Sequence, residues 1–454
     1  METFYSREFI IDKEKHFIRC RKMIFEDYIK FIFWNKGRNN DIEGTEFFKQ
    51  FLDKKFETIS EQALGRQRKF ILPELFIKIY KSFIDKIYSE NKYFSTVKGY
   101  IIAACDGSIF DLPNITLTRR DFNIPADTIF KKHRIRARVS GMLDVNSGFM
   151  LTTKIVERTV SETELAMEHL LDLKKRLNIE KFIAVYDRAY NSIELMTFTA
   201  SLNSKFVIRL QKTTFKNEIR KVKGSDKIIT INLKDSIIKN FENEELKEYA
   251  RKLGRLKLRV VEIKLSNGTT ELLVTNLDKE EFSLEEMKEI YAKRWSIETG
   301  FKKLKSQVQI ERFSGYSRII IEQDFYAKIF LYNLATAIQW DGQNKLSINK
   351  RNSYDEYIYK PCFSTIVGIM FIYLDDILSS KRNRVSDVVD FLIERASKLY
   401  YQKSVMLLKF YKLIKILNDL ILQSIYGKNW ENKKSKRSPK DPSNDNPGNP
   451  KPTH

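Results

Sequence analysis

Between residues 100 and 210 the hydrophobic period of the chain switches repeatedly between strand and helix. That alternation limits the fold more than any other feature. IIAACDGSIF, from Ile101, is a short apolar run ending in Asp106-Gly107, and reads as a buried strand running into a turn. A polar stretch follows to Lys132. RIRARVSGMLDV and FMLTTKIVE then flank Asn146-Ser147-Gly148, a β-hairpin signal. Residues 163–177, TELAMEHLLDLKKRL, carry one apolar face at helical spacing. KFIAVYD is a second strand, ending in Asp187. NSIELMTFTASLN reads as a helix opened by an Asn or Ser cap, and KFVIRL as a third apolar strand. Strand, hairpin, helix, strand, helix, strand in that order predicts an α/β fold, a mixed sheet with helices against it.

The flanks read differently. Residues 1–98 have glycine only at 37, 44 and 65, and aromatics at helical spacing in FEDYIKFIFW and LPELFIKIYKSFIDKIY. Pro73 sits where a first helical turn tolerates it. Lysines and arginines interleave with the aromatics, so an α-helical DNA-binding region and an ordinary helical bundle fit equally well. Residues 211–282 contain short strand-like pieces (KIITINL, LKLRVVEIKL, ELLVTNL) separated by charged turns, and read as an antiparallel β insertion. Helical pattern returns in SLEEMKEIYAKRWSIETGFKKLKS, where Ser283 and Glu286 are spaced as a capping box. This helix, in residues 283–320, completes the core. Residues 321–430 are expected to be helical, to about Tyr426. Residues 431–454 hold five of the nine prolines plus Lys433, Lys434, Lys436 and Arg437, the composition of a disordered basic tail.

Composition matters for the partner. Hydrophobic residues at 42% and aromatics at 13% exclude global disorder. Lys and Arg total 81 against 59 Asp and Glu, a net charge of +22, which points to a polyanion, most simply nucleic acid. A basic protein from an AT-rich genome is the alternative. Cys20, Cys105 and Cys362 are scattered, without a C-x-x-C, and the histidines at 16, 133, 169 and 454 are far apart. A disulfide framework and a Cys/His zinc site are therefore disfavoured, while a carboxylate site for a hard cation stays open. The N-terminus lacks the apolar core of a signal peptide, and the most apolar run, 366–374, is too short to span a bilayer. The expectation is a soluble, reduced, intracellular protein.

Two strands end in aspartate, Asp106 and Asp187, and in open α/β sheets ligands collect at the carboxyl ends of strands. Such an Asp before Gly is also a common turn residue. The helix after the insertion sharpens the choice. At roughly 100° per residue, Tyr291, Arg294, Trp295, Glu298, Lys302 and Lys305 fall on one stripe about 100° wide. A core-facing stripe should be apolar, and a solvent face should not carry two large aromatics. A partly buried helix with an Arg294–Glu298 pair explains part of this. A third metal carboxylate, Glu298, among basic and aromatic groups that hold a phosphate backbone and its bases, explains all of it. Phosphodiester hydrolysis or transfer is served by two divalent ions roughly 4 Å apart, which three carboxylates can hold.

The residues resemble a known family. Tyr291, Arg294, Glu298 and Lys305 fill the pattern Y-x2-R-x3-E-x6-K without a gap, and Trp295 and Ile297 in RWSIE match its habit. This looks like the signature of the large bacterial insertion-sequence transposases called family four. Asp106-Gly107-Ser108 and Asp187 to Tyr190 (DRAY) match its other two acidic motifs, so the likeness covers residues 101–305. The resemblance implies a ribonuclease-H-like catalytic core, 99–210 with 283–320, interrupted by the β insertion. It implies Asp106, Asp187 and Glu298 as the catalytic metal ligands for Mg2+ or Mn2+, two ions, and Tyr291, Arg294 and Lys305 on phosphates of the transposon end. It implies a cut-and-paste DNA transposase acting on double-stranded DNA, both element ends and target, as a homodimer in the synaptic complex, in the bacterial cytoplasm and without a membrane. Relatives hold a flipped base partly with a tryptophan of the insertion; here the tryptophans are Trp34, Trp295, Trp340 and Trp430, none of them in it. The alternatives are a nuclease on the same fold without strand transfer, or a domesticated DNA-binding derivative.

Weaker signals complete the set. Arg134, Arg136 and Arg138 alternate, so they share one strand face, beside Lys131, Lys132 and His133. They read either as a charge-guarded edge strand or as a DNA-tracking ridge. Arg209, ending the third strand, is a further DNA-contact candidate. Cys105 should point away from Asp106 and belong to the core.

Overall fold

The computed structural model describes residues 7–19, 22–54, 57–89, 94–124, 134–177, 181–211, 213–264, 268–349, 358–378, 382–398 and 400–403. Lys131, Lys132, His133 and the basic tail lie outside them. The chain divides into two units, 1–348 with 361–399, and 349–360 with 400–454.

In the first unit, α1 (Phe25–Trp34), α2 (Asn40–Phe51), α3 (Glu61–Arg68) and α4 (Glu74–Ser89) precede the sheet. β1 (Ile101–Asp111), α5 (Thr116–Asp121), β2 (Arg136–Asp144), β3 (Met150–Val156), α6 (Glu162–Arg176), β4 (Phe182–Tyr186), α7 (Ile193–Ser201) and β5 (Lys205–Arg209) follow. Next come α8 (Lys216–Arg220), β6 (Asp226–Asn232), α9 (Asp235–Ile238), α10 (Glu244–Leu253), β7 (Arg255–Lys264) and β8 (Thr270–Thr275). Then α11 (Leu284–Ala292), α12 (Trp295–Ser306), α13 (Arg318–Asn349), β9 (Ile358–Pro361), α14 (Phe363–Ile372), α15 (Leu374–Ile377), α16 (Arg382–Lys398) and β10 (Tyr400–Lys403) complete the order, β10 and all but the last residue of β9 belonging to the second unit. β9 pairs with β10, so the region expected to be wholly helical contains strands.

The expected mixed α/β sheet is present. Its eight strands run β3-β2-β1-β4-β5-β8-β7-β6. β1 pairs antiparallel with β2 and parallel with β4, and β4 pairs parallel with β5. β8 joins β5 antiparallel, so the insertion strands extend the same sheet instead of forming one of their own. β2 lies between β3 and β1, which removes the edge-strand reading of Arg134, Arg136 and Arg138.

The period-two alternation of β1 sorts its side chains onto two faces. Ile101, Ala103 and Cys105 pack into one cluster with Ala166 and Leu173 of α6. Ala104 and Phe110 pack into another with Ile297, Phe301 and Leu304 of α12. Helix α6 forms because Leu165, Ala166, His169, Leu170 and Leu173 share one buried face. Glu162 and Glu164 at its start and Lys174 to Arg176 at its end also suit the helix dipole. Glycine permits two close approaches. A Cβ on Gly300 of α12 would lie 2.6 Å from Leu143 Cδ1 of β2, and one on Gly107 would lie 2.9 Å from Glu162 Oε1. Helix α12 rests directly on the sheet because position 300 has no side chain.

The aromatics of the first helices are core. Phe31, Trp34 and Phe47 are buried together, and Phe33 meets Phe330 of α13 edge-on at 5.2 Å. Arg68, 1% exposed, donates to Asp324 at 2.7 Å and to Gln323 at 3.1 Å, fastening α3 to α13. Among the described residues no helix is long and apolar enough to cross a membrane.

Candidate active site

Asp106 does not close a strand. β1 continues five residues beyond it to Asp111, pairing Asp106 with Gly141 of β2. What ends near Asp106 is the parallel partner. The register matches Ala104 with Val185, and two residues further along each strand stand Asp106 and Asp187. Neighbouring strands lie roughly 4.8 Å apart, so the two aspartates are set side by side where β4 stops. Asp187 leaves β4 and caps a short 3-10 turn, Arg188–Tyr190, accepting a hydrogen bond from the Ala189 amide at 2.7 Å. Asp106 accepts one from its neighbouring Gly107 amide at 2.8 Å.

The helix carrying Glu298 is not continuous with the capping-box helix. The Ser283–Glu286 box forms and opens α11, which ends at Ala292. Lys293 and Arg294 turn the chain, and α12 begins at Trp295. A single angular stripe from Tyr291 to Lys305 therefore does not describe these residues. Tyr291 is 9% exposed and packs with Met287 and Ile290 against the sheet, whereas Trp295 is 60% exposed. Arg294 sits between them, its guanidinium carbon 4.7 Å from the Trp295 ring and 6.0 Å from that of Tyr291. It is almost fully buried and holds Glu298 at 3.0 Å. The i,i+4 pair is thus real, and it is anchored by two rings.

Electrostatics bring the acids into one field. The Asp106 carboxyl is pushed up to about 6, first by burial, then by the charges of Asp187 and Glu298; the Gly107 amide and Arg294 pull the other way. Burial likewise raises the Tyr291 phenol, against Arg294 and Arg209. Among the described residues no three His, Cys, Asp or Glu side chains are grouped so as to hold a metal ion. The reason is visible in the partners: Glu298 is turned to Arg294 and Asp187 to its own turn. The donor set nevertheless suits a hard divalent cation. It consists of carboxylate oxygens, and the repulsion that lifts Asp106 is one that a cation relieves.

The remaining candidates divide. Lys302 is exposed on α12. Lys305 is not free for a phosphate here. Its ammonium donates to the Ile109 carbonyl of β1 at 2.5 Å, pairs with Glu311 at 3.5 Å and lies 4.6 Å from the Phe110 ring centroid. Arg134 and Arg136 both pair with Asp111, at 2.9 and 3.0 Å, and Arg138 reaches Glu162 at 3.6 Å. Those three arginines share a face as expected, but with counter-charges built in. Arg209 pairs with Glu271 at 2.7 Å, near Tyr291. Cys105 is buried on the opposite face from Asp106, as its position in the strand requires. The sequence reading overlooked Asp111 and Glu162, the acids that neutralise the arginine ridge. Asp111 ends β1 and Glu162 opens α6, positions at which an acid looks ordinary.

Residues 114–334 match the family described as transposase DDE domain, a stretch that includes Asp187 and Glu298 and begins after Asp106. Over 179 residues the chain is 25% identical to transposase InsG for insertion sequence element IS4 of Escherichia coli (strain K12), covering 38% of this chain and 37% of that protein. The chain thus spans little more than a third of that curated relative. Among solved structures it is similar to the piggyBac transposase in a synaptic complex with hairpin DNA. The TM-score is 0.42 and the identity 12%, over 86% of this chain and 84% of that one.

Proposed function

We propose that this chain, which carries a transposase DDE domain of the IS4 type, is a DNA transposase. It binds the terminal inverted repeats of its element, cuts them by metal-dependent hydrolysis and joins the freed 3′-hydroxyl ends to target DNA. The observation that carries this reading is the placing of Asp106 beside Asp187, each two residues past the Ala104–Val185 pair, where β4 ends. Burial first, and then the charges of Asp187 and Glu298, push the Asp106 carboxyl there up to about 6.

The order β3-β2-β1-β4-β5, with two antiparallel and two parallel pairings, supports reading the core as ribonuclease-H-like, extended by β6 to β8. Asp106, Asp187 and Glu298 would hold the divalent cations, Mg2+ or Mn2+, two in number. A bound cation supplies an activated water or hydroxyl and charge for the leaving oxygen. Asp106 orients from a fixed strand. Arg294 keeps Glu298 at the mouth of the site and, being flanked by two rings, holds its charge toward a phosphate without swinging away. Lys302 and the exposed Trp295 ring face outward for DNA, and Lys305 positions α12 against β1. Arg134, Arg136 and Arg138 form a second basic surface, and Arg209 at the end of β5 is a separate contact; the acids paired with each must release it to contact DNA. Action as a homodimer on two ends, in the bacterial cytoplasm, belongs to the same reading, as does division into 1–98, 99–210, 211–282, 283–320, 321–430 and 431–454.

The test is cleavage of the element's own ends in Mg2+. Asp187→Asn and Glu298→Gln should abolish cutting while end-binding persists, since phosphate contacts lie on other residues. Precleaved ends offered with target DNA separate a transposase from a nuclease. Cutting retained by Asp187→Asn overturns the assignment.

A further inference from the structure

We propose that a second site, away from the acids, binds a nucleoside monophosphate. A cleft of about 480 Å³ opens between the segment after α1, the segment after α12, and helices α13 and α14. That volume lies within the roughly 300–1,000 Å³ typical of small-ligand sites.

Its lining carries Lys36, Arg38, Arg312 and Lys328 and no acidic residue. Arg38 is already satisfied by Glu43 and Glu46, at 2.9 and 2.5 Å. Arg312 is exposed and makes no ion pair among the described residues. Lys328 is 4% exposed, and its ammonium donates to the carbonyls of Gln309, at 3.1 Å, and Arg312. Burial pushes this ammonium down to about 8; Asp324 and Glu43 favour its charge, but neither lines the cleft. Three cations thus face one space with no carboxylate lining it, which is the electrostatics of an anion site.

The second observation concerns hydrogen bonding. Asn35 is 3% exposed, and its Nδ2 has no partner, although its Oδ1 accepts from the Gly37 amide at 2.7 Å. Gln307 Oε1 is buried and also unpartnered. Buried polar atoms left unsatisfied are rare in folded proteins. Here a donor and an acceptor line the same cleft, beside the apolar Val308, Val367 and Phe371. A bare phosphate uses the cations but neither the acceptor nor the apolar wall. A nucleotide uses all three: phosphate on the lysines and Arg312, base edge on the two amides, base face on the apolar wall.

The nucleotide has two sources with the same chemistry, a free monophosphate or the phosphorylated end of a DNA strand. Gln307 follows Glu298 by nine residues, roughly 14 Å along a helix, so a strand held at one site can reach the other.

The inference does not rest on the acids, and its test leaves them untouched. The full chain is titrated calorimetrically with deoxyadenosine, deoxycytidine, deoxyguanosine and deoxythymidine monophosphates, with the matching nucleosides and with inorganic phosphate. Saturable binding of a monophosphate is expected, with nucleoside and phosphate at least tenfold weaker. Arg312→Glu should weaken it at least tenfold. So should Gln307→Leu, which leaves net charge unchanged and separates a built site from general attraction to a basic protein. Matching thermal midpoints establish that the variants fold, with Lys36→Glu as a replacement for either. A short oligonucleotide bearing a 5′-phosphate that displaces the monophosphate identifies the strand end as the source; failure to displace it identifies the free nucleotide. No saturable binding, phosphate alone binding as tightly, or variants binding as well as the parent overturns the proposal. Cleavage by the parent protein reports on the acids separately.

Discussion

Replacing Asp106 by Asn should make the protein more stable while disabling it. The carboxyl is raised from its ordinary value of 3.8 to about 6, so the folded chain resists its ionisation. A group raised in the fold contributes its full stability below the unfolded value of 3.8 and loses it as pH climbs through 6. The span of roughly two units corresponds to about 3 kcal/mol of destabilisation by ionised Asp106 at pH 7.5, against about 1 kcal/mol at pH 4.5. Asn is nearly isosteric, keeps an oxygen to accept from the Gly107 amide, and carries no charge to be repelled by Asp187 and Glu298. The variant's advantage over the parent should therefore grow by about 2 kcal/mol between those two pH values. Urea titrations at both, in chelator, measure it. Adding Mg2+ at pH 7.5 should stabilise the parent and narrow the gap, because an ion offsets the same repulsion. An advantage that stays constant with pH, or that shrinks as pH rises, refutes the picture of three acids in one field.

Divalent-cation affinity, read by calorimetry, should strengthen as pH rises through about 6 and level off above it, since Asp106 must lose its proton to ligate. Lys305→Ala should lower stability by about 1 kcal/mol by releasing α12 from the Ile109 carbonyl, whereas exposed Lys302→Ala should weaken end-binding and leave the urea midpoint unchanged. Gly300→Ala should cost about 1–3 kcal/mol, because a methyl group would press on Leu143, and should reduce cleavage with it. Asp324→Asn should cost about 3–5 kcal/mol by leaving the Arg68 guanidinium buried without its counter-ion. Urea titration reads the stability changes, and binding and cleavage of the element's ends read the rest.

The elements that were legible in the sequence were those with an amphipathic period or a short continuous apolar run. The hairpin around Asn146 to Gly148, α6 and the strands before Asp187 and through Arg209 stand as their patterns indicate: α6 buries one face, whereas the short apolar runs of β4 and β5 are core on both. Gly148 adopts φ +84°, which such a turn favours. Helix α10 escaped notice inside a run expected to be strands. Its Asn243 cap, accepting from the Leu246 amide, and Gly254 beyond its end were there to be seen. The break between α11 and α12 left no mark, since no proline or glycine occurs from 284 to 299 and both Lys293 and Arg294 keep right-handed helical angles. The end of β1 was misplaced because Asp-Gly usually turns a chain; here Gly107 serves α6 by leaving room for Glu162. Pairings between distant acids and bases, such as Arg136 with Asp111 or Arg68 with Asp324, depend on tertiary approach and have no local signature.

The position of Asp106 within β1 has a consequence for ion size. Its backbone is pinned by a strand that continues past it and by Gly141 opposite. Asp187 stands on a tight turn and Glu298 in the first turn of a helix behind a break. One leg of the acidic set stands on a fixed strand and two on a turn and a helix start, so under the proposed metal-binding reading a larger ion would be met by travel of the turn and of α12. That travel would not be a slide. Lys305 ties the far end of α12 to Ile109, three residues along the strand that bears Asp106. Held there, α12 would pivot about Lys305, and the radius of the ion would be converted into an angle at Glu298.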